Sequence, residues 1–384
     1  MADALTGSTG QEARLQFNVW YDGRLVERNI NVSNWAISWD SSRQVRCQTK
    51  ATVLDDDGTL TPWDIEDPLG AGGGILQTQI VVNNNSLSLG WQPITSAEPD
   101  ETWRTVQGKT VWVPGGASIP VEAEDPTEGV IAARFMAPQQ PVPGNTIIEE
   151  IQHLLTGLMD VRVDGTITDG SVPSTVVYKE SRMDAVEDLV TALDAEWRVS
   201  GDGQFHVYDP SVTTPVWEAK GGAEGELIRI KRKLKLTGNY NAFVSRNTAP
   251  DGRELQGIAK IETGAERWAG PLGQRVMFHA ASFATTQAQV DQTAITLRDN
   301  RIKKATVTLP VRTVLNPAIE LGDWITIYMP LPDGGEAPIT GKVLTIDWSG
   351  SDLLPVAMDL QIECTADQVK AASKRVRDAR WLAI

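Results

Sequence analysis

The densest cluster of acid in the 384-residue chain lies at residues 53–64, VLDDDGTLTPWD. Such a cluster could hold calcium or supply a general acid and base. An EF-hand loop places oxygen ligands at positions 1, 3 and 5, glycine at 6 and a bidentate Glu at 12. With Gly58 at position 6, Asp57 and Asp55 fill 5 and 3, but position 1 is Val53 and position 12 is the shorter Asp64. Pro62 also interrupts the helix that such a loop needs on its exit side. The stretch is therefore expected to be a strand end and a turn, with Asp57, Gly58, Leu60 and Pro62 as its structural residues, Leu60 packing back.

The other chemistry-bearing residues do not assemble into a signature. Gly108-Lys109-Thr110 ends like a phosphate loop, but the position of the required first glycine is Trp103, and a strand is expected where a helix should begin. Gly201-Asp202-Gly203 lacks the third glycine of a dinucleotide fingerprint. No G-x-S-x-G occurs. His153, His206 and His279 have no His or Cys at metal-ligand spacing. Glu149, Glu150, Asp160 and Asp164 could supply a carboxylate pair for glycoside hydrolysis, yet nothing in the sequence sets two of them a defined distance apart. No catalytic, metal or cofactor site is expected. Trp20, Trp35, Trp39, Trp91, Trp103, Trp112, Trp324 and Trp348 fall on strand-like segments, where cores and interfaces use aromatics; a few could stack sugars.

Two basic features suggest docking rather than catalysis. In RIKRKLKL, Arg229, Lys231, Lys233 and Lys235 alternate as one cationic strand face, which reads as a solvated face or as a stripe for an acidic neighbour, such as another copy of the chain. The second is a C-terminal helix opened by Thr365-Ala366-Asp367-Gln368, a capping-box pattern, and carrying Lys370, Lys374, Arg377 and Trp381.

The elements that would position these residues are mostly strands. LQFNVWYDGRLVERNINV reads as a hairpin turned at Asp22-Gly23. WAISWD, VRCQTKATVL, LQTQIVV, SLSLGW, TWRTVQGKTVWV and GVIAARFM follow as strands, broken at LGAGGG and PGGASIP. After the proline-rich APQQPVPGN, Asn145 is expected to cap a helix over 146–157, with Ile147, Ile148, Ile151, Leu154, Leu155 and Leu158 at helical spacing. Ser181 caps a second helix over 181–194, and a hairpin turned at 201–203 joins strands at 196–200 and 204–208. ELIRIKRKLKL and YNAFVSRN resume the strands, a polar helix spans 285–303, and strands are expected near 305–311, 323–329, 341–348 and 356–364. The fold class is mainly β with an α+β insertion. The expected divisions are a flexible arm over 1–14, a β-rich domain over 15–140, an α+β domain over 141–225, a second β-rich domain over 226–310, a terminal β domain over 311–365 and a helix over 366–384.

Size and charge narrow the classes. A chain this long supports more than one core. The net charge of −15, from 35 Lys+Arg against 50 Asp+Glu, repels nucleic acid and disfavours sequence-specific DNA binding, although an acidic wall lets DNA slide past. Two distant cysteines, Cys47 and Cys364, make no disulfide framework and read as buried thiols. The N-terminus lacks a signal-peptide pattern, and no apolar run reaches the ~20 residues of a membrane span, so cytoplasmic synthesis without stable membrane insertion is expected.

The order of these blocks resembles the tail hub proteins of tailed phages: minor tail proteins of long-tailed, siphovirus-type phages of actinobacteria, and the related baseplate hub and tail-associated proteins. Residues 53–62 with DPLGAGGGI are similar to the first hub block. NTIIEEIQHLL and SRMDAVEDLVTALDAEWRVSGDGQFHVYDP resemble the inserted hub domain. GNYNAFVSRN and NPAIELGDWITIYMP look like the openings of the next and the last domains. The resemblance covers most of residues 15–365 and implies a multi-domain tail hub fold with two tube-like β-barrel or sandwich domains, a small α+β domain and a terminal β domain. It implies a non-enzymatic virion protein at the tail tip, assembled in the host cytoplasm. Three copies would make a pseudo-sixfold ring joining the sixfold tail tube to a threefold tip. The implied partners are the distal tail protein, the tape-measure protein and other tip proteins, with DNA as passing cargo. No counterpart of the peptidase or glycosidase domain carried by some hubs is expected, which puts cell-wall digestion in doubt. A glycan-binding or glycan-cleaving tip protein, or the distal tail protein itself, are the alternatives.

Overall fold

A computed structural model describes residues 13–382 apart from 83–84, 106–107, 109–111, 173–175, 223–224, 232–239, 250–251, 265, 281–285, 304–305, 332 and 352–356. In chain order the elements are β1 (Ala13–Tyr21), β2 (Arg24–Glu27), β3 (Val32–Asp40), β4 (Cys47–Asp55), β5 (Gly74–Val82), β6 (Asn85–Ala97), β7 (Asp100–Thr105), β8 (Trp112–Glu124), α1 (Thr127–Ala132), α2 (Ile147–Leu155), β9 (Val161–Val163), α3 (Arg182–Ala192), β10 (Glu196–Val199), β11 (Phe205–Tyr208), β12 (Trp217–Lys220) and β13 (Leu227–Ile230). There follow β14 (Ala242–Thr248), β15 (Glu254–Lys260), β16 (Val276–Ala280), α4 (Gln287–Lys303), β17 (Thr306–Val314), β18 (Trp324–Pro330), β19 (Glu336–Gly350), β20 (Ala357–Thr365) and α5 (Ala366–Leu382). The backbone forms two compact units. The larger takes the chain up to Ile230, Pro310–Glu363 and residues from Arg375 on; the smaller takes Lys231–Leu309 and Cys364–Lys374.

The larger unit is built on one long sheet with strand order β13-β17-β20-β19-β3-β4-β8-β6-β5-β1-β2, with β7 on β8 and β12 on β18, which pairs β19. Strict alternation sets its register, because successive side chains on a strand point to opposite faces. β4 buries Cys47, Thr49, Ala51, Val53 and Asp55, and β5 buries Leu76, Thr78, Ile80 and Val82. On β19 the buried positions are Ala337, Ile339, Gly341 and Val343, then the phase flips to Ile346 and Trp348. The flip falls where β19 leaves β18, paired through Lys342, and takes up β3, paired from Thr345. The β1–β2 hairpin turns at Asp22 (φ +47°) and Gly23 (φ +68°), the left-handed pair that matches strand twist.

The α+β element of this unit carries a core of its own, in which Ile151, Leu154, Leu155, Met183, Val186, Leu189, Trp197, Phe205 and Val207 meet. Its sheet runs β10-β11-β9, antiparallel then parallel. Leu158, expected in the apolar stripe, is exposed beyond the helix end. The cap of α2 is Thr146, not Asn145: Glu149 N–H donates to the Thr146 hydroxyl at 3.2 Å and Thr146 N–H to the Glu149 carboxylate at 2.9 Å. Asn145 instead donates its amide to Glu150. Ser181 caps α3 as expected, accepting from Asp184 N–H at 3.1 Å.

Three further expectations change. GVIAARFM is not a strand: residues 127–132 form α1, because Asp125 accepts from Thr127 N–H at 2.9 Å and Pro126 presets the first turn. TWRTVQGKTVWV is two strands, β7 and β8, folded back on each other. PGGASIP breaks nothing, since β8 runs straight through it. Pro120 sits between the stretch of β8 that pairs β7 and the stretch that pairs β6, where a missing N–H is tolerated.

In the smaller unit β14 lies between an antiparallel β15 and a parallel β16, with α4 packed on β15 and β14. The approach is close at Gly257, where an added Cβ would stand 2.5 Å from the Val290 carbonyl oxygen.

Candidate interaction surfaces

The acidic turn is organised by Asp55, a residue that sequence reasoning counted only as a poor calcium ligand. Its buried carboxylate accepts from Gly58 N–H (3.1 Å), Leu60 N–H (2.9 Å) and the Thr61 hydroxyl (2.6 Å). Gly58 takes φ +78°, which glycine adopts without strain. Asp57 caps the next residues, accepting from the Thr59 hydroxyl (2.8 Å) and N–H (3.2 Å), and these bonds pull its carboxyl below the usual range. Pro62 follows, half-buried.

Beyond the turn the chain forms a tight rim loop. Asp67 accepts from Trp63 N–H (2.6 Å) and Asp64 N–H (2.9 Å), which lowers its carboxyl as well. Ile65 C=O accepts from Gly72 N–H at 2.6 Å, and Cβ atoms at Gly70 or Gly72 would meet that same oxygen at 2.5 Å. Leu69 is fully buried beneath, while Trp63 and Ile65 point outward at 76% and 67% exposure.

A second construction seats the α+β element on the long sheet. Arg198 on β10 places its guanidinium against Glu320 (2.7 Å) and Asp323 (2.8 Å) and donates to the Leu321 carbonyl (2.8 Å). Burial pulls this guanidinium down, but the two carboxylates outweigh it and hold its pKa above the ordinary value. Glu320 goes up, because burial exceeds the help it receives from Arg198. Nearby, Lys342 of β19 pairs Glu196, which also accepts from Tyr208 Oη–H at 2.7 Å. The Arg46 guanidinium lies over the Trp197 ring, 3.9 Å from its centroid.

The candidate acid–base residues are brought to different tasks. His206 is buried; its Nδ1 accepts from Arg198 Nε–H (3.3 Å), so Nε2 carries the proton that faces Asp164 at 2.9 Å. Both ring nitrogens are thus engaged by protein groups. Glu149 serves the helix cap; Glu150 is buried and accepts from Val142 N–H at 3.2 Å and Asn145 at 2.8 Å. Among the described residues, no group of three or more His, Cys, Asp or Glu side chains is placed to hold a metal ion. Cys47 and Cys364 are buried thiols, and Cys364 donates to the Val307 carbonyl at 3.3 Å. The eight tryptophans expected on strands all lie on strands of the long sheet.

The basic stripe is only partly in view. Arg229 sits on edge strand β13 opposite Arg312, and both reach Asp359, at 3.9 and 3.2 Å. The strand ends at Ile230, so Lys231 is exposed but off the ladder, and Lys233 and Lys235 lie outside the described residues. Lys370, Lys374 and Arg377 are exposed on α5, and Trp381 lies in its last turn. Gln368 N–H reaches the Thr365 hydroxyl at 3.4 Å, the first half of the expected box. No described helix is long and apolar enough to cross a membrane.

No family sequence model matches this chain, and no curated protein matches it in sequence. Solved structures do match. The chain has the fold of phage tail proteins, mainly β with a small α+β element. The tail protein of Neisseria meningitidis MC58 is similar over 92% of this chain and 97% of its own, with a TM-score of 0.57 at 12% identity. The 43 kDa tail protein of prophage MuSo2 from Shewanella oneidensis is similar over 92% and 98%, at 0.56 and 9% identity. A chain of the lidless PdpA–VgrG complex is similar over 93% of this chain and 65% of its own, at 0.50 and 8% identity. At these identities the likeness is one of fold.

Proposed function

We propose that this chain is a structural tail hub, a minor tail protein at the tip of a long phage tail. The observation that carries the reading is the end-to-end likeness to two tail proteins, one of them from a prophage, each matched over nearly its whole length. The hub would be a homotrimer that joins the sixfold tube and distal tail protein to a threefold tip, meets the tape-measure protein and other tip proteins, and surrounds the exit path of the DNA. The site residues fit a passive role: Glu149, Glu150 and Asp164 each have a structural partner, and the turn of Asp57, Gly58, Leu60 and Pro62 opens the link from β4 to β5. The cationic residues Arg229, Lys231, Lys233 and Lys235, with Lys370, Lys374, Arg377 and Trp381, are proposed as docking positions for acidic neighbours.

The test is the molar mass of the purified protein by light scattering, with negative-stain images of the same peak. A trimer with a central opening is expected. A monomer that binds soluble cell-wall glycan would overturn the hub reading in favour of a glycan-recognising tip protein, and a hexamer would favour the distal tail protein.

A further inference from the structure

We infer that copies of this chain join head to tail, the rim loop of one copy seating Trp63 and Ile65 against Ile258 and Phe278 on the three-stranded sheet of the smaller unit of the next. The inference rests on the hub reading only for its expectation that copies meet; it adds the two surfaces and their polarity.

The rim loop has the properties of a docking knob. A Trp at the centre of a contact is among the side chains that supply most of its energy, and Ile65 beside it adds apolar area. Here they stand on backbone fixed by the Asp67 carboxylate and by the bond from Gly72 to Ile65, so little freedom is lost on binding. The knob is ringed by acid: Asp56, Asp57, Asp64 and Glu66 are exposed, and residues 53–74 contain no Lys or Arg.

The matching surface lies on the three-stranded sheet. One face, with Leu255, Gly257 and Ala259, is turned to α4. Residues in register on the other face form the row Ile258–Val244–Phe278, with Val276 one pair along. Val244 is buried between them, while Ile258 and Phe278 stand 55% and 60% exposed, two apolar side chains presented to water on the sheet's second face. Two cations frame the row: Arg246 lies 4.7 Å from the Phe278 ring centroid, and Lys260 lies two residues beyond Ile258. Glu254 is the one acid on this face of β15, at its far end.

Charge selects the occupant. Copies with net charge −15 repel one another, so a contact between them must set acid against cation locally. An acid-ringed apolar knob and a cation-framed apolar row on the same chain meet that requirement. The two surfaces differ, so the contact is heterologous, and each copy keeps a free knob and a free row with which to continue into a ring.

The test uses full-length protein in sedimentation velocity. The knob variant is Trp63→Ser with Ile65→Ser, and the row variant is Ile258→Asp with Phe278→Asp. All four side chains are mostly exposed, and near-ultraviolet circular dichroism checks that each variant is folded. Each variant alone is expected to associate at least about 30-fold more weakly than the unaltered chain. Mixed, they should form dimers and nothing larger, because only one intact knob and one intact row remain per pair. Assembly of either folded variant like the unaltered chain would overturn the contact and leave the hub reading standing. So would a mixture that stays monomeric. An unaltered chain that never self-associates would overturn the contact together with the homotrimer.

Discussion

Replacing Arg198 by Met tests how the α+β element is held to the long sheet. The substitution keeps an unbranched stem and removes the guanidinium. Four bonds go: to Glu320 at 2.7 Å, Asp323 at 2.8 Å, the Leu321 carbonyl at 2.8 Å and His206 Nδ1 at 3.3 Å. The Arg198 side chain is only 13% exposed, and the change leaves two carboxylates facing each other without their cation. Breaking a buried pair from one side costs about 3–5 kcal/mol. The Glu320 side chain is 39% exposed, so water relieves part of this and the lower end, about 3 kcal/mol, is expected. Urea unfolding followed by tryptophan fluorescence measures it, with Arg43→Met as the reference. Arg43 pairs Asp40 with 56% of its own side chain exposed, a contact worth ~0–1 kcal/mol. The pH dependence carries a sign. Glu320 is already held above its ordinary range by burial, and losing Arg198 pushes it further up. A carboxyl raised in the folded state binds its proton more tightly there than in the unfolded chain. The variant should therefore regain stability as pH falls toward that raised value, and its gap to the unaltered protein should narrow. A loss under about 1 kcal/mol, or a gap that widens on acidification, would refute the reasoning.

Three other outcomes follow from named contacts. Asp55→Ala leaves Gly58 N–H, Leu60 N–H and the Thr61 hydroxyl without their acceptor and should cost about 2–4 kcal/mol, seen as faster amide exchange across 58–61. Gly257→Ala sets a methyl 2.5 Å from the Val290 carbonyl oxygen and should loosen α4 from its sheet by about 1–3 kcal/mol, read as lost exchange protection in residues 287–303. Asp125 is raised by burial, although Cys47 and Thr127 donate to it. Its contribution to stability is therefore fully present below the unfolded carboxylate range and falls as pH rises through the folded value. Asp125→Asn should flatten that slope in a pH series of urea midpoints while costing about 1–3 kcal/mol for the acceptor lost.

What the sequence disclosed, and what it hid, divides by the range of the interactions. The helices of the α+β element and the 196–208 hairpin were legible because a 3.6-residue stripe, a Ser cap and a Gly-Asp-Gly turn are local signals, satisfied within a few residues. Helix α1 was misread although Asp125-Pro126 announces it. GVIAARFM is too short for periodicity to decide, and the deciding bond comes from an acid two residues upstream of Thr127. PGGASIP was misread because a proline's effect on a strand depends on whether a neighbour needs its N–H, and the hand-over from β7 to β6 along β8 is not written in those seven residues. The pairing of β19 with β3 is the extreme case. Ile346 meets Trp39 and Trp348 meets Ile37 across some three hundred residues. The only local trace is a slip in the alternation of residues 343–346, where the buried face changes sides as the partner changes.

The same division explains why the surfaces were harder to read than the core. The cationic alternation at 229–235 was conspicuous in one dimension, yet the ladder ends at Ile230, and Arg229 spends its charge beside Arg312 on Asp359. Trp63 and Ile65 drew no notice, because a Trp in a proline-bounded acidic loop has no periodic signature. They stand out only once Asp55 and Asp67 are seen to fix the backbone under them and Leu69 is seen to take the buried place in the loop. A loop that binds its own carboxylates so tightly, yet leaves its largest apolar side chains in water, is shaped for an external partner rather than for its own stability. Ordering an 18-residue stretch costs free energy that no core residue but Leu69 and the turn at Asp55 repays within the chain.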